Sequence, residues 1–468
     1  MNEATPESQI VEHVVMKHTI DSALRDDVER FLLDFLAVTV GGIGRTSAVV
    51  ARSAFMTRAV RDEVFSARVH GTDEWAIPEH AALLNGIASH GLELDDTHEE
   101  ASMHPAVAIF PAMFAYADSV GGVAWDTFVR AVVVGYDVMT SVGALTGAAE
   151  SYGRGFHPTA ICGSLGAAAA VSVILGLDST RTSHALGIAA NMSSGSLEFL
   201  SDGSWTKRLN AGQAASTGLR AAMLGQVGFE APARFLTGRD GFLHQYGQGA
   251  GPRSLVLELG QGIRGTSVKL YPCCRYMHGN IDLLRAIHQE NPGLTINDVV
   301  SIECAVISAG ASLVACPPER KLSVSSPVDA QFNMPFGAAL ALTTGGATVS
   351  DFDGAPAVAL RLKSLMSRVT CVVSERVESA FPSAWQAEVR VELKDGTLIE
   401  RYSEAFRGSP GDPASWEEVV TKAGGLVNLA WVDHVGSAIR GLGGGTSADS
   451  TAVTSEAVTS AALLDGAY

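Results

Sequence analysis

Cysteine is scarce in this chain, with six in 468 residues, at positions 162, 273, 274, 304, 316 and 371. No two of them have Cys-x-x-Cys spacing, so neither a zinc site nor a disulfide framework is indicated, which fits a reducing compartment. Positive charge is also short: 33 Lys and Arg stand against 50 Asp and Glu, for a net charge of -17. A general nucleic-acid surface needs a basic face and is excluded. An anionic small substrate is not, because a few cations can set the field inside one pocket. Long hydrophobic runs are missing too. The longest, Gly163 to Leu177, is mostly Ala, Ser, Gly, Leu and Val, short for a membrane span and expected to be a buried core helix. The first residues, Met1 to Glu7, lack the basic start and apolar core of a signal peptide. The expectation is a cytoplasmic protein with no membrane partner.

What is present is apolar bulk, 47% hydrophobic against 18% charged residues, enough for more than one core at this length. From about Val11 to Gln226 the pattern is helical. Asp26 to Leu36 spaces its apolar residues at three and four, and Gly41-Gly42 closes that helix. His80–His90, Ala106–Tyr116, Phe128–Val142, Ala160–Leu175 and Asn210–Gln226 are further helices, and their Ala and Gly content allows close packing. Asp178 is a plausible N-cap, and Gly228 a C-terminal stop. After Thr266 the character changes. Val299–Val306 and Val369–Val373 read as strands, and Ala387–Leu393 with Thr397–Tyr402 as a hairpin about Asp395-Gly396. Helical composition returns from Trp416 to Leu442, before a Gly/Ser/Thr/Ala-rich tail. The predicted fold is mainly α: a large all-helical domain over 1–267, an inserted smaller α+β domain over 268–402, a helical return over 403–442 and a flexible tail over 443–468.

The densest chemistry lies in Glu93–Pro105, which holds five carboxylates and two imidazoles in thirteen positions and ends on His104-Pro105. A second His-Pro follows at His157-Pro158. Interleaved acids and imidazoles are what proton transfer requires. The bland alternatives are a loop histidine before a Pro-started helix for His104, an N-cap or solvated acid for Asp96, and a buried structural histidine for His157.

Four segments together resemble the MmgE/PrpD family: Glu93–Pro105, Gly155-Phe156-His157-Pro158-Thr159, Asp202–Gly212 with Lys207-Arg208, and Lys269–His278. Gln331–Phe336 is a fifth, and all five occur in the family's order over nearly the whole chain to about 430. The resemblance implies a cofactor-independent enzyme with a helical domain and a smaller α+β lid, usually a homodimer, acting on a small polycarboxylate. Known activities of the family are 2-methylcitrate dehydration, cis-aconitate decarboxylation and iminodisuccinate epimerisation.

Removing a proton beside a carboxylate loads negative charge onto an anion, so the site needs a placed base and fixed cations. No His-Glu-x-x-His or similar spacing is present, and no metal site is predicted. The expected catalytic residues are His104, Asp96, His157 and Lys207; Asp95, Thr97, Lys269, Arg275 and His278 are expected to touch substrate. Lys207, Lys269 and Arg275 are matched to carboxylates, with Arg275 able to fork two hydrogen bonds onto one. Glu99 and Glu100 are expected to face solvent, and the cysteines to be packing residues. Cys274 stands near where decarboxylase-like members carry a histidine, which points to dehydration ahead of decarboxylation. The expected activity is that of a lyase of the 2-methylcitrate dehydratase type; epimerisation of an iminodisuccinate-like substrate or cis-aconitate-type decarboxylation is the alternative, and a catalytically inactive helical binding protein is the alternative from another class.

Overall fold

A computed structural model describes residues 4–56, 65–247, 255–381, 383–443 and 457–466. The protein is mainly helical and divides into two compact units. One comprises Met1–Gly91, Asp95–Thr266 and Ser415–Tyr468; the other comprises Leu92–Leu94 and Ser267–Ala414.

The first unit is built from small-residue helices. Pro158–Leu175 is buried at every position from Pro158 to Val173, as befits a helix apolar on all sides. Against the expectation of a run too short for a membrane span, it and Trp125–Thr146 are long and apolar enough to cross one, and 89% of the most apolar 18-residue stretch of each is buried within the protein. They pack against each other and against Ala106–Ser119, and Pro158–Leu175 also packs against Thr206–Gln226 and Ser179–Met192, which accounts for that apolarity. Asp178 caps Ser179–Met192 by accepting from Arg181 N–H, as expected.

Glycine sets the closest approach. A Cβ on Gly212 would lie 2.2 Å from Leu83 O, and one on Gly86 2.6 Å from the Gly212 Cα. Gly212→Ala is therefore expected to force the two helices apart and lower stability by about 2 kcal/mol, the usual cost of overpacking. An unchanged urea midpoint in that variant would show that the contact can relax freely.

The C-terminal return is two helices rather than one run, Trp416–Gly424 and Leu429–Gly443. Ser415 and Glu418 form a capping box at the first. Lys422 Nζ then reaches Asp34 Oδ1 of the Ser22–Gly42 helix at 2.5 Å, with both side chains buried. Arg440 pairs with Asp26 at 2.9 Å and also with Glu29, its guanidinium 4.0 Å above the Trp416 ring. The expected flexible tail falls outside the described residues up to 456. Beyond it the chain is held: Ala457–Val458 pairs antiparallel with Val123–Ala124, Ser460 N–H donates to Asp118 Oδ1 at 2.7 Å, and Val458 and Leu464 are fully buried. Apolar side chains at these positions give this end of the tail a core to join.

The second unit carries a four-stranded mixed sheet in the order Val369–Val373, Val299–Val306, Ala387–Leu393, Leu398–Ser403. The first pair is parallel and the rest antiparallel. The hairpin turns at Gly396, whose φ of 87° suits the Asp-Gly sequence. Helix His278–Glu290 precedes the strands in sequence, Met334–Thr344 and Ala355–Met366 lie between Val299–Val306 and Val369–Val373, and the three build one core with the sheet through Ile281, Phe336, Leu365 and Val391. Cys273, Cys274 and Cys304 are packing residues of that core. The unit extends to Ala414, past the expected 402, because Val268 N–H donates to Gly408 O at 2.9 Å and ties the segment after the last strand to its beginning.

Candidate active site

In the first unit the Pro78–Ser89 helix ends on His90, which is fully buried. Asp95 and Asp96 follow, and the chain then folds back on itself, His98 N–H donating to Met103 O at 2.8 Å. Ser102 (φ 51°) takes the left-handed backbone within that reversal, rare for a residue other than glycine. The helix Ala106–Ser119 starts immediately after His104-Pro105. Its first free N–H, on Ala106, donates to both Asp96 carboxylate oxygens at 3.1 and 3.2 Å, and Tyr136 Oη donates to Asp96 Oδ2 at 2.8 Å.

Asp96 is thus a buried carboxylate that caps a helix start. Burial, and then the neighbouring Asp95, raise its carboxyl well above the usual range. Of the two neighbouring acids, it is Asp95 whose side chain faces the imidazoles. Its Oδ2 lies 2.8 Å from His90 Nδ1 and 3.1 Å from His104 Nδ1. Burial opposes the Asp95 anion, yet His90 and His104 outweigh it and hold the carboxyl well below the usual range.

His104 is fixed by three acceptors at one nitrogen. Its Nδ1 is 2.6 Å from Asp96 O, 3.1 Å from Asp95 Oδ2 and 3.3 Å from Thr97 Oγ1. A backbone carbonyl can only accept, so the Nδ1 carries the proton and Nε2 is the nitrogen left for chemistry. His104 N–H also donates to Thr159 Oγ1 at 3.1 Å, which brings the starts of the Ala106 and Pro158 helices together. Thr97 therefore orients His104.

His157 is the N-cap residue of Pro158–Leu175 and is buried. Its ring lies 6.1 Å from that of His90, nearly parallel, and 5.8 Å from Phe199 edge-on. Lys207 is half-buried in the first turn of Thr206–Gln226. Its charge reaches His90, which burial first and Lys207 second push down to about 4. His104, His157 and Lys207 thus each stand at the start of a long helix, where the dipole favours an anion.

His90 is the member that the sequence reading missed. It closes an apolar helix, and its only signal is the spacing of five to Asp95. Glu99 is buried and only Glu100 is exposed, so the solvent-facing expectation holds for one of the pair. His90, Asp95 and His104 also offer ligand atoms within 4.8 Å of one another, the set among the described residues that could hold a divalent cation. As placed, both Nδ1 atoms point at acceptors, the arrangement of a hydrogen-bonded acid–base cluster. A cation taken by those nitrogens would have to replace their protons.

The remaining candidates belong to the second unit. Lys269 is fully buried, its Nζ 3.1 Å from Glu93 Oε1 and 3.2 Å from Glu93 O. Glu93 also has a left-handed backbone, φ 57°. Arg275 donates to His278 Nδ1 at 3.2 Å and to Arg407 O at 3.1 Å, its guanidinium 5.3 Å from the Phe406 ring. With Nδ1 accepting, His278 directs Nε2 toward Cys273 O at 3.3 Å. Lys269, Arg275 and His278 therefore all have protein partners, a placement that differs from the open carboxylate contacts expected of them. The physical reason is burial, which an unmatched cation would not tolerate.

The family model for the MmgE/PrpD N-terminal domain matches residues 9–255, and that for the MmgE/PrpD C-terminal domain residues 271–433. The cis-aconitate decarboxylase-like protein oryM of Aspergillus oryzae is 30% identical over 343 residues, 69% of this chain and 70% of that protein. Cis-aconitate decarboxylase of Homo sapiens is 26% identical over 435 residues, covering 88% and 85%. The Aspergillus terreus enzyme of the same name is 26% identical over 401 residues, 80% of each chain. The order of the five motifs, the helical unit that carries His104 and His157, and both domain matches agree: the chain belongs to the MmgE/PrpD family.

Proposed function

We propose that this protein is a cofactor-independent lyase of the 2-methylcitrate dehydratase type, acting on a small di- or tricarboxylate. The observation that carries the reading is His104, whose Nδ1 proton is held by Asp96 O and Asp95 while Nε2 stays available. In this reading His104 Nε2 takes the proton from the carbon beside a carboxylate. His157 hands a proton to the departing hydroxyl, which leaves as water, and the electron pair of the broken C–H bond becomes the new double bond. Lys207 and the N-terminus of the Pro158 helix stabilise the carboxylate as charge builds on it.

Decarboxylation is the second reading, favoured by the names of the relatives. It uses the same base in reverse: carbon dioxide leaves, and the protonated His104 delivers a proton to the carbanion. The buried Cys274, where decarboxylase-like members are expected to carry a histidine, favours dehydration. The family resemblance also supports a homodimer, which sedimentation would test.

Purified protein incubated with 2-methylcitrate, citrate and cis-aconitate distinguishes the readings. Growth of alkene absorbance from a hydroxy acid supports dehydration, and release of carbon dioxide from cis-aconitate supports decarboxylation. Exchange of a substrate proton with deuterated water without net change points to epimerisation. Folded protein inert in all three assays would overturn the enzyme reading.

A further inference from the structure

Two acceptor atoms in the His90–Asp95–His104 cluster have no donor. Asp95 Oδ2 receives the His90 Nδ1–H at 2.8 Å. Since His90 is neutral near pH 7, pushed down to about 4 by burial, its second nitrogen, Nε2, carries a lone pair and no proton. Among the described residues nothing donates to His90 Nε2 or to Asp95 Oδ1, and both atoms are shielded from solvent. The side chains are 0% and 3% exposed. A buried acceptor left in this state costs about 1–3 kcal/mol, more when it is part of an anion. The rings of His104, at 4.8 Å, and His157, at 6.1 Å, flank His90 and are the two imidazoles assigned to the chemistry.

We infer that His90 is a specificity-determining residue: its Nε2, on the side of the ring turned away from Asp95, receives a hydrogen-bond donor carried by the substrate, so the site is built for a hydroxy-substituted polycarboxylate. This rests on the polycarboxylate reading above. The physical argument is one of matched pairs. An unsaturated or unsubstituted polycarboxylate offers only acceptors at neutral pH and would set lone pair against lone pair in a buried space. A substrate hydroxyl supplies the missing proton, and its oxygen keeps its own lone pairs free to accept one from His157. Sites built to hydrogen-bond a hydroxyl discriminate strongly against the analogue that lacks it.

Citrate and tricarballylate, which differ only in that hydroxyl, are the direct probes, measured by titration calorimetry on the full-length protein. Wild type is expected to bind citrate about tenfold more tightly or better. In His90→Phe, which fills the volume without an acceptor, the ratio should fall toward one. His90→Gln restores a side-chain acceptor and should recover part of the preference, and it serves if the Phe variant does not fold. Equal binding of the two acids to wild type overturns this inference while leaving the polycarboxylate reading in place, the acceptors then being served by water. Binding of neither acid at millimolar concentration overturns that reading and the inference with it.

Discussion

His104→Gln is expected to reduce turnover about 1,000-fold, within the range that a placed general base or acid contributes. Glutamine can still donate to Asp96 O, so the loop that ends at Pro105 keeps its anchor, and only the proton-accepting nitrogen is lost. The loss should appear in kcat, with KM changed little, because the imidazole acts on the reacting proton and not on the carboxylates. Asp96→Asn provides the contrast. An asparagine oxygen can still accept from Ala106 N–H and Tyr136 Oη, the bonds that the carboxylate now makes. That variant should lose less than about tenfold in kcat and show its effect in the thermal midpoint. If Asp96→Asn abolished turnover and His104→Gln left it within tenfold of wild type, the base would be Asp96 and the assignment of roles would be reversed.

Acid is expected to destabilise the protein steeply. Burial pushes His90 and His98 from 6.5 down to about 4, and His70 to about 3, with Arg68 adding to the last. The sign follows from proton uptake. Below pH 6.5 the unfolded chain protonates these rings and the folded protein does not, so stability present above 6.5 is lost as pH falls toward about 4. Each histidine contributes a loss of about 2 kcal/mol between pH 7 and pH 5. The carboxyls of Asp34, Asp96 and Asp118, raised mainly by burial, act in the opposite sense by taking protons in the folded state first. The histidine part can be isolated at His98, whose Nδ1 accepts from Ala101 N–H at 3.2 Å. His98→Asn keeps an acceptor there and removes the titration. Denaturant unfolding at both pH values should show the difference between them shrinking by about 2 kcal/mol in that variant. An undiminished difference would mean that His98 is protonated in the folded protein too.

Much of the helical unit could be read directly from residue spacing, because helices such as Pro158–Leu175 are uniformly apolar and bounded by Pro and Gly. The hairpin at Asp395-Gly396 was equally plain, since a positive φ at Gly396 is local chemistry. The break at Gly425 to Asn428 carried its own mark, Gly424-Gly425, but helical composition on both sides of that pair masked it.

Residue types by themselves marked Glu93–Pro105 and the two His-Pro pairs as candidates for proton chemistry, with cations to be sought elsewhere in the chain. They could not choose between Asp95 and Asp96. Neighbouring residues in an irregular loop point in directions set by the backbone on either side, and here the start of the Ala106 helix took Asp96 for its own free N–H. Nor did they reveal His90, since its spacing of five to Asp95 fits no regular element and its approach to His104 is made only by the fold. Lys269 shows the same limit: its charge was legible, but the Glu93 carboxylate that matches it lies 176 positions away. The acids, imidazoles and cations were written in the chain; which of them meet, and which nitrogen is left without a proton, was decided by burial and hydrogen-bond direction in the folded protein.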